Sequence, residues 1–189
     1  MVNQEPRGEY NSKSDYARFS VIGKLCKGKI LDAGCGSGEL KKYLPKDCNY
    51  TGIDMDPSDK WLITGSVYDL PFEDNLFDTV AILEVLEHLE TPMNALREIK
   101  RVVKDGGNVI ISVPNPYNLD QIASILHNDI NIENINHINI FGDNEIRSMC
   151  FHAGFSLVHP VRFYTKIPGL NWLSPIRSRF GEWSIYEVR

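Results

Sequence analysis

The residues best placed to do chemistry lie in two clusters, and the first is a glycine-rich loop with an acid downstream. Leu31-Asp32-Ala33-Gly34-Cys35-Gly36-Ser37-Gly38 falls where an apolar run gives way to a helical pattern. Glycines there remove Cβ atoms, so the backbone can turn sharply and a ligand can come close. Asp54 follows sixteen residues after Gly38 and closes the next apolar run, Tyr50 to Asp54. A carboxylate at that point can accept hydrogen bonds from both hydroxyls of a ribose. Loop and acid together describe a nucleoside-bearing cofactor lying over the carboxyl ends of two strands.

The spacing discriminates between cofactors. A dinucleotide calls for G-x-G-x-x-G, with pyrophosphate held at a helix N-terminus. Here the pattern is G-x-G-x-G preceded by Asp32. An acid would repel pyrophosphate, whereas it suits a cofactor carrying an ammonium and a sulfonium charge. S-adenosylmethionine carries both.

The second cluster is Glu84-Val85-Leu86-Glu87-His88, directly after a fourth apolar run, Phe77 to Leu83. As a helix, Glu84, Glu87 and His88 would fall at i, i+3 and i+4 and share one face. Leu83, Val85, Leu86 and Leu89 would occupy the other. The alternative for such a face is plain solvation.

The elements that must position these residues can be placed from periodicity. Tyr16, Phe19, Ile22, Gly23 and Cys26 recur at helical intervals. Strands are predicted at Lys29–Ala33, Tyr50–Asp54, Trp61–Thr64, Phe77–Leu83 and Val109–Val113. Helices are predicted from Glu39 to Leu44, ended by Pro45, and from Thr91 to Lys104, stopped by Asp105-Gly106-Gly107. Further on, a helix is expected over Tyr117–His127 and another over Asp143–Ala153, with Asp143 as N-cap and Gly154 as stop. Phe155–Tyr164 and Trp183–Val188 are expected as the last strands. All-apolar strands alternating with helices imply a parallel sheet covered on both faces.

Composition fits one domain. The chain has 189 residues, 42% hydrophobic and 24% charged, with a net charge of -5. A domain of that size buries about 70% of its unfolded surface. The acidic balance of 20 Lys+Arg against 25 Asp+Glu disfavours a nucleic-acid partner, which usually demands a basic stripe. The polar N-terminus lacks the apolar core of a signal peptide, no run approaches the length of a membrane span, and Cys26, Cys35, Cys48 and Cys150 form no disulfide or zinc pattern. A reduced, cytoplasmic protein is the expectation; the sequence leaves the oligomeric state open.

Taken together these segments resemble a known family. ILDAGCGSGEL resembles the first motif of class I S-adenosylmethionine-dependent methyltransferases, and YTGIDMD is similar to their second. GSVYDLPFEDNLFDTV matches their adenine-side loop and fourth strand, and VLEHLETPMNALREIKRVVKDGGNVIISVPN continues the match without gaps. The resemblance implies a seven-stranded, Rossmann-like α/β sheet, mostly parallel with an antiparallel C-terminal strand. It implies a single methyltransferase domain over 1–189, with a flexible arm at 1–12 and substrate-side segments at 115–142 and 164–182. Its implied activity is methyl transfer from S-adenosylmethionine to a small-molecule acceptor, with a hydroxyl oxygen favoured. Nitrogen or carbon acceptors, an RNA ribose and a catalytically silent cofactor-binding module are the alternatives.

The resemblance also implies residue roles. Asp32, Gly34, Cys35, Gly36 and Gly38 would surround the methionyl part, Asp54 would hold the ribose, and Met55 would pack on adenine. Ser66 and Val67 would border the adenine edge, and Leu83 would lie near the sulfonium. Two departures stand out: Ser66 occupies a position where the family often has Asp, and only ten residues separate Asp54 from Gly65, too few for the usual helix. The pattern E-x-x-E-H resembles the metal-binding motif of ubiquinone-pathway O-methyltransferases and small-RNA 2′-O-methyltransferases. By that likeness Glu84, Glu87, His88 and a later His137 would bind Mg²⁺, Mn²⁺ or Zn²⁺, and the ion would acidify a substrate hydroxyl. Without metal, His88 or His137 would be the general base, because imidazole titrates near neutrality, with Glu84 also a catalytic candidate. Tyr10, Tyr16 and Arg18 are candidates for a lid, or simply for helix packing on the sheet.

Overall fold

The computed structural model describes residues 13–116, 137–162 and 183–189. Seven strands form one sheet: β1 (Lys29–Ala33), β2 (Asn49–Asp54), β3 (Ile63–Thr64), β4 (Phe77–Leu83), β5 (Val103–Pro114), β6 (Val158–Arg162) and β7 (Trp183–Val188). Their spatial order is β3-β2-β1-β4-β5-β7-β6. The first five strands pair in parallel, and β7 runs antiparallel to both β5 and β6. This is the mostly parallel sheet with an antiparallel C-terminal strand that the resemblance implied.

Alternation along the strands explains the two-sided core. On one face Leu31, Val80, Ile82 and Ile111 pack with Leu96, Ile99 and Val102 of α2 (Pro92–Val102) and with Ile146 and Cys150 of α3 (Asp143–His152). On the other, Ile30, Ala81, Leu83 and Ile110 pack with Phe19 and Ile22 of α1 (Lys13–Leu25). Successive side chains point to opposite faces, and each face has its own helix to cover it.

The chain leaves β1 toward β2 and β3, then returns to place β4 and β5 on the other side of β1. Ligands of open α/β sheets bind at such a reversal, outside the strands' carboxyl ends. Both chemical clusters follow those ends.

Several elements differ from expectation. The segment after the glycine loop is a 3-10 turn, Glu39–Tyr43, entered from Gly38 in the left-handed region with φ 70°. The third strand is only Ile63–Thr64; Trp61 instead lies against Gly38, where a Cβ would come within 2.8 Å of its ring. α2 ends at Val102, because Val103 already pairs with Phe77 and draws the chain into the sheet ahead of the glycines. Asp143 is the first residue of α3, after Gly142, and its carboxylate accepts from the Tyr186 hydroxyl at 2.7 Å. The final strands are Val158–Arg162 and Trp183–Val188. The expected helix at 117–127, the arm at 1–12 and the segment at 164–182 lie outside the described residues.

Candidate functional site

The glycine loop is built by hydrogen bonds from its own backbone. Gly34, Gly36 and Gly38 all have positive φ, at 81°, 53° and 70°. That opens the loop so that the N–H groups of Gly34 and Cys35 both donate to the Ile53 carbonyl, at 2.8 and 3.0 Å. The next N–H, of Gly36, donates to Asp54 Oδ2 at 2.8 Å, and Asp56 N–H donates to Asp54 Oδ1 at 3.0 Å. Asp54 is therefore 7% exposed and clamped through both oxygens, each of which can accept a further bond from a hydroxyl.

Asp32 is more deeply set, 3% exposed, and accepts a hydrogen bond from the Tyr50 hydroxyl at 2.7 Å. Burial pushes its carboxyl up to about 7, against the Tyr50 hydrogen bond and with help from the nearby Asp54 charge. The Cys35 thiol is pushed up to about 12, first by burial and then by Asp32 and Asp54, so it is an inert lining group.

At the rim of this loop the other sequence candidates divide. Met55 is 71% exposed just past β2, whereas Val67 and Leu83 are buried. The Ser66 hydroxyl accepts from Tyr68 N–H at 3.2 Å, and the Ser66 carbonyl accepts from Asp69 N–H. Its oxygen serves a local turn.

The second cluster corrects the helical-face expectation. Glu84 adopts φ 55° and so breaks from strand geometry without starting a helix; a 3-10 turn, Leu86–His88, begins two residues later. Its side chain accepts from Ser112 Oγ on β5 at 2.8 Å and lies 3.4 Å from the buried Arg18 guanidinium of α1. Glu84 is thereby directed toward β5 and α1. Arg18 also stacks over Phe19 and Trp183, with centroid distances of 4.9 and 4.8 Å.

Glu87, His88 and His137 do come together, with one ligand atom from each within 4.8 Å of the others. The Glu87 carbonyl accepts from Ile138 and Asn139 N–H at 3.0 and 3.1 Å, which brings the His137 segment alongside. The two imidazoles meet edge to face with centroids 4.9 Å apart. Glu87 is 1% exposed, and among the described residues neither of its carboxylate oxygens accepts a hydrogen bond. Burial, reinforced by Glu84, holds this acid well above the ordinary carboxylate range despite Arg18. His137 is shifted down, by burial and by His88, which favours neutral imidazole.

The two clusters touch. A Cβ on Gly34 would collide with Val85, so the first glycine of the loop is the seat of the turn that carries Glu87 and His88. Tyr50, Ser112 and Trp61 were not singled out from the sequence. For Tyr50 a signal was available: it stands on the same strand face as Asp54, with Gly52 between them.

Residues 31–111 match the methyltransferase-domain family. The matched segment resembles a methyltransferase domain and takes in less than half of this chain. An uncharacterized methyltransferase of Schizosaccharomyces pombe is 32% identical over 143 residues, which is 61% of this chain and 50% of that protein. The ubiquinone/menaquinone biosynthesis C-methyltransferase UbiE of Burkholderia mallei is 34% identical over 44% of this chain and 42% of its own length. The chain thus spans about half the length of the curated relatives it matches. A SAM-dependent methyltransferase of Archaeoglobus fulgidus superposes with a TM-score of 0.70 at 18% identity, covering 96% of this chain and 95% of that one. At that identity the likeness establishes the fold. No helix among the described residues is long and apolar enough to cross a membrane.

Proposed function

We propose that this methyltransferase domain moves a methyl group from S-adenosylmethionine to a small-molecule acceptor, with a hydroxyl oxygen as nucleophile. When bound, S-adenosylmethionine supplies an activated methyl carbon with a neutral thioether as leaving group. The clamped Asp54 carboxylate suits the ribose, and the Cβ-free loop suits close approach of the methionyl part. Asp32, poised near neutrality, becomes a counter-ion for the ammonium group. Ser66 and Val67 would border adenine, Met55 would cover it, and Leu83 would lie near the sulfonium.

The observation that carries the oxygen reading is the His88–His137 pair beside the glycine loop. With His137 held neutral, one imidazole can accept the acceptor's hydroxyl proton as the oxygen attacks. The enzyme otherwise needs only alignment and exclusion of water. The net charge of -5 favours a small acceptor over RNA.

A divalent cation is the second reading, favoured by the buried Glu87 carboxylate, which accepts no hydrogen bond among the described residues and has His88 Nε2 3.8 Å from its Oε1. One carboxylate and two imidazoles, Glu87, His88 and His137, would hold it, and two nitrogen ligands suit Mn²⁺ or Zn²⁺ better than Mg²⁺. Such an ion supplies Lewis acidity at a hydroxyl. Glu84, engaged with Ser112, would stand outside that set.

Acceptor profiling with labelled S-adenosylmethionine, with and without chelator, tests both readings. Methylated oxygen in the product supports the proposal, and methylated nitrogen or carbon overturns the choice of atom. Cofactor binding with no transfer to any acceptor, small molecule or RNA, overturns the activity. Loss of turnover on chelation, restored by Mn²⁺, supports the cation, whereas full turnover in chelator removes it.

A further inference from the structure

Asp32 accepts a hydrogen bond from Tyr50, a residue outside the set expected to hold the cofactor. Tyr50, Gly52 and Asp54 alternate along β2 and share one face of the strand. Asp32 on β1 is in register with Gly52, so Tyr50 stands diagonally from it. A Cβ at Gly52 would lie 2.9 Å from the Tyr50 hydroxyl oxygen and 2.9 Å from Cys35 Sγ. The missing side chain is the channel through which the tyrosine hydroxyl reaches the carboxylate. Trp61 closes over the tyrosine with ring centroids 5.9 Å apart, and Lys41 Nζ caps the Trp61 ring at 4.1 Å. Tyrosine, glycine and tryptophan thus enclose one hydrogen bond, that from Tyr50 to Asp32.

We propose that Tyr50 is a positioning residue for the methyl donor: its hydroxyl fixes the Asp32 carboxylate in the orientation that receives the donor's ammonium group. This rests on the reading of Asp32 as a counter-ion in the S-adenosylmethionine site. The titratable groups facing Asp32 are Tyr50 and Asp54 on β2, Cys35 in the loop and Cys26 just past α1. Both thiols are pushed up to about 12 and stay neutral near pH 7. Of the other two, Asp54 opposes ionisation of Asp32 and the Tyr50 hydroxyl favours it. Removing the hydroxyl therefore makes the carboxylate protonate at higher pH. Affinity for a cationic amino acid moiety then begins to fall at a higher pH than in the wild type.

Calorimetric titrations of wild type, Tyr50→Phe, Asp32→Asn and the double variant, over roughly pH 5.5 to 8.5, test this. The probes are S-adenosylmethionine and 5′-methylthioadenosine, which keeps the nucleoside and lacks the ammonium group. Tyr50→Phe should weaken S-adenosylmethionine about tenfold near pH 7, move the acid limb of its affinity upward, and leave methylthioadenosine unchanged. In the Asp32→Asn background the same change should cost nothing further. Equal losses for both probes would show a merely structural tyrosine and overturn the proposal, as would an unchanged pH limb. Should Tyr50→Phe fail to fold, Asp32→Asn alone must still show the probe-selective loss, and its absence overturns the proposal. If wild type takes up neither probe, the cofactor site itself is wrong; if wild type binds and Tyr50→Phe binds equally, only the role of Tyr50 falls.

Discussion

The ends of β1 and β2 and the end of β4 are neighbours, yet they treat buried charge in opposite ways. At the first, every acid is answered: Asp54 accepts from two backbone N–H groups and Asp32 from a tyrosine hydroxyl. At the second, Glu87 is buried with no hydrogen bond to either oxygen among the described residues. A buried carboxylate without hydrogen bonds, here with His88 Nε2 3.8 Å from Glu87 Oε1, costs several kcal/mol or neutralises by taking a proton. The first site is thus complete before any ligand arrives. The second is held at a cost that a proton, a cation or a bound acceptor can relieve. Binding a common donor calls for the first arrangement, and changing protonation during a reaction calls for the second.

Replacing His137 by Ala bears on this contrast most strongly. Turnover should drop about 100-fold or more, the usual weight of a positioned base, while affinity for S-adenosylmethionine stays at the wild-type value. Steady-state kinetics set beside calorimetry check it, and a matching loss of affinity would mean that the two regions do not work separately.

Glu87→Gln tests the unrelieved charge itself. Because the folded-state pKa of Glu87 is raised, the stability it contributes is complete below the unfolded carboxylate range and is lost as pH rises through the raised value. Gln does not titrate, so the variant should melt like wild type near pH 4 and be more stable by roughly 1–3 kcal/mol above pH 8. Thermal denaturation across that range, in chelator, gives the answer; a gain that disappears when Mn²⁺ is added would favour the cation reading. The smallest effect is expected at Ser66. An Asp there can still accept from Tyr68 N–H and, if position 66 borders adenine as proposed, would offer it a stronger acceptor, so affinity for S-adenosylmethionine should rise about threefold.

Much of this was legible in the residues. The glycine triplet and Asp54 needed only spacing, because positive φ and strand ends leave a local signature. The β4 and β5 runs were equally plain, since strands buried on both faces have no polar alternation to confuse them. What escaped was non-local. Glu84 looked like part of a helical face because i, i+3, i+4 is a one-dimensional rule, while its conformation is set by Ser112 on β5 and Arg18 on α1. The early start of β5 at Val103 came from its pairing with Phe77 overriding the stop signal at Asp105-Gly106-Gly107. For Tyr50 the shared face with Asp54 could be read, but not its partner, which is on another strand, across a glycine whose missing side chain means nothing until the register is known.

Titration calorimetry of S-adenosylmethionine into wild type and Asp54→Ala tests the central claim most directly. Saturable binding by wild type, weakened about 100-fold by loss of the two ribose hydrogen bonds to a charged acceptor, is the expected result. Equal heats from the two proteins, or none from either, would contradict it.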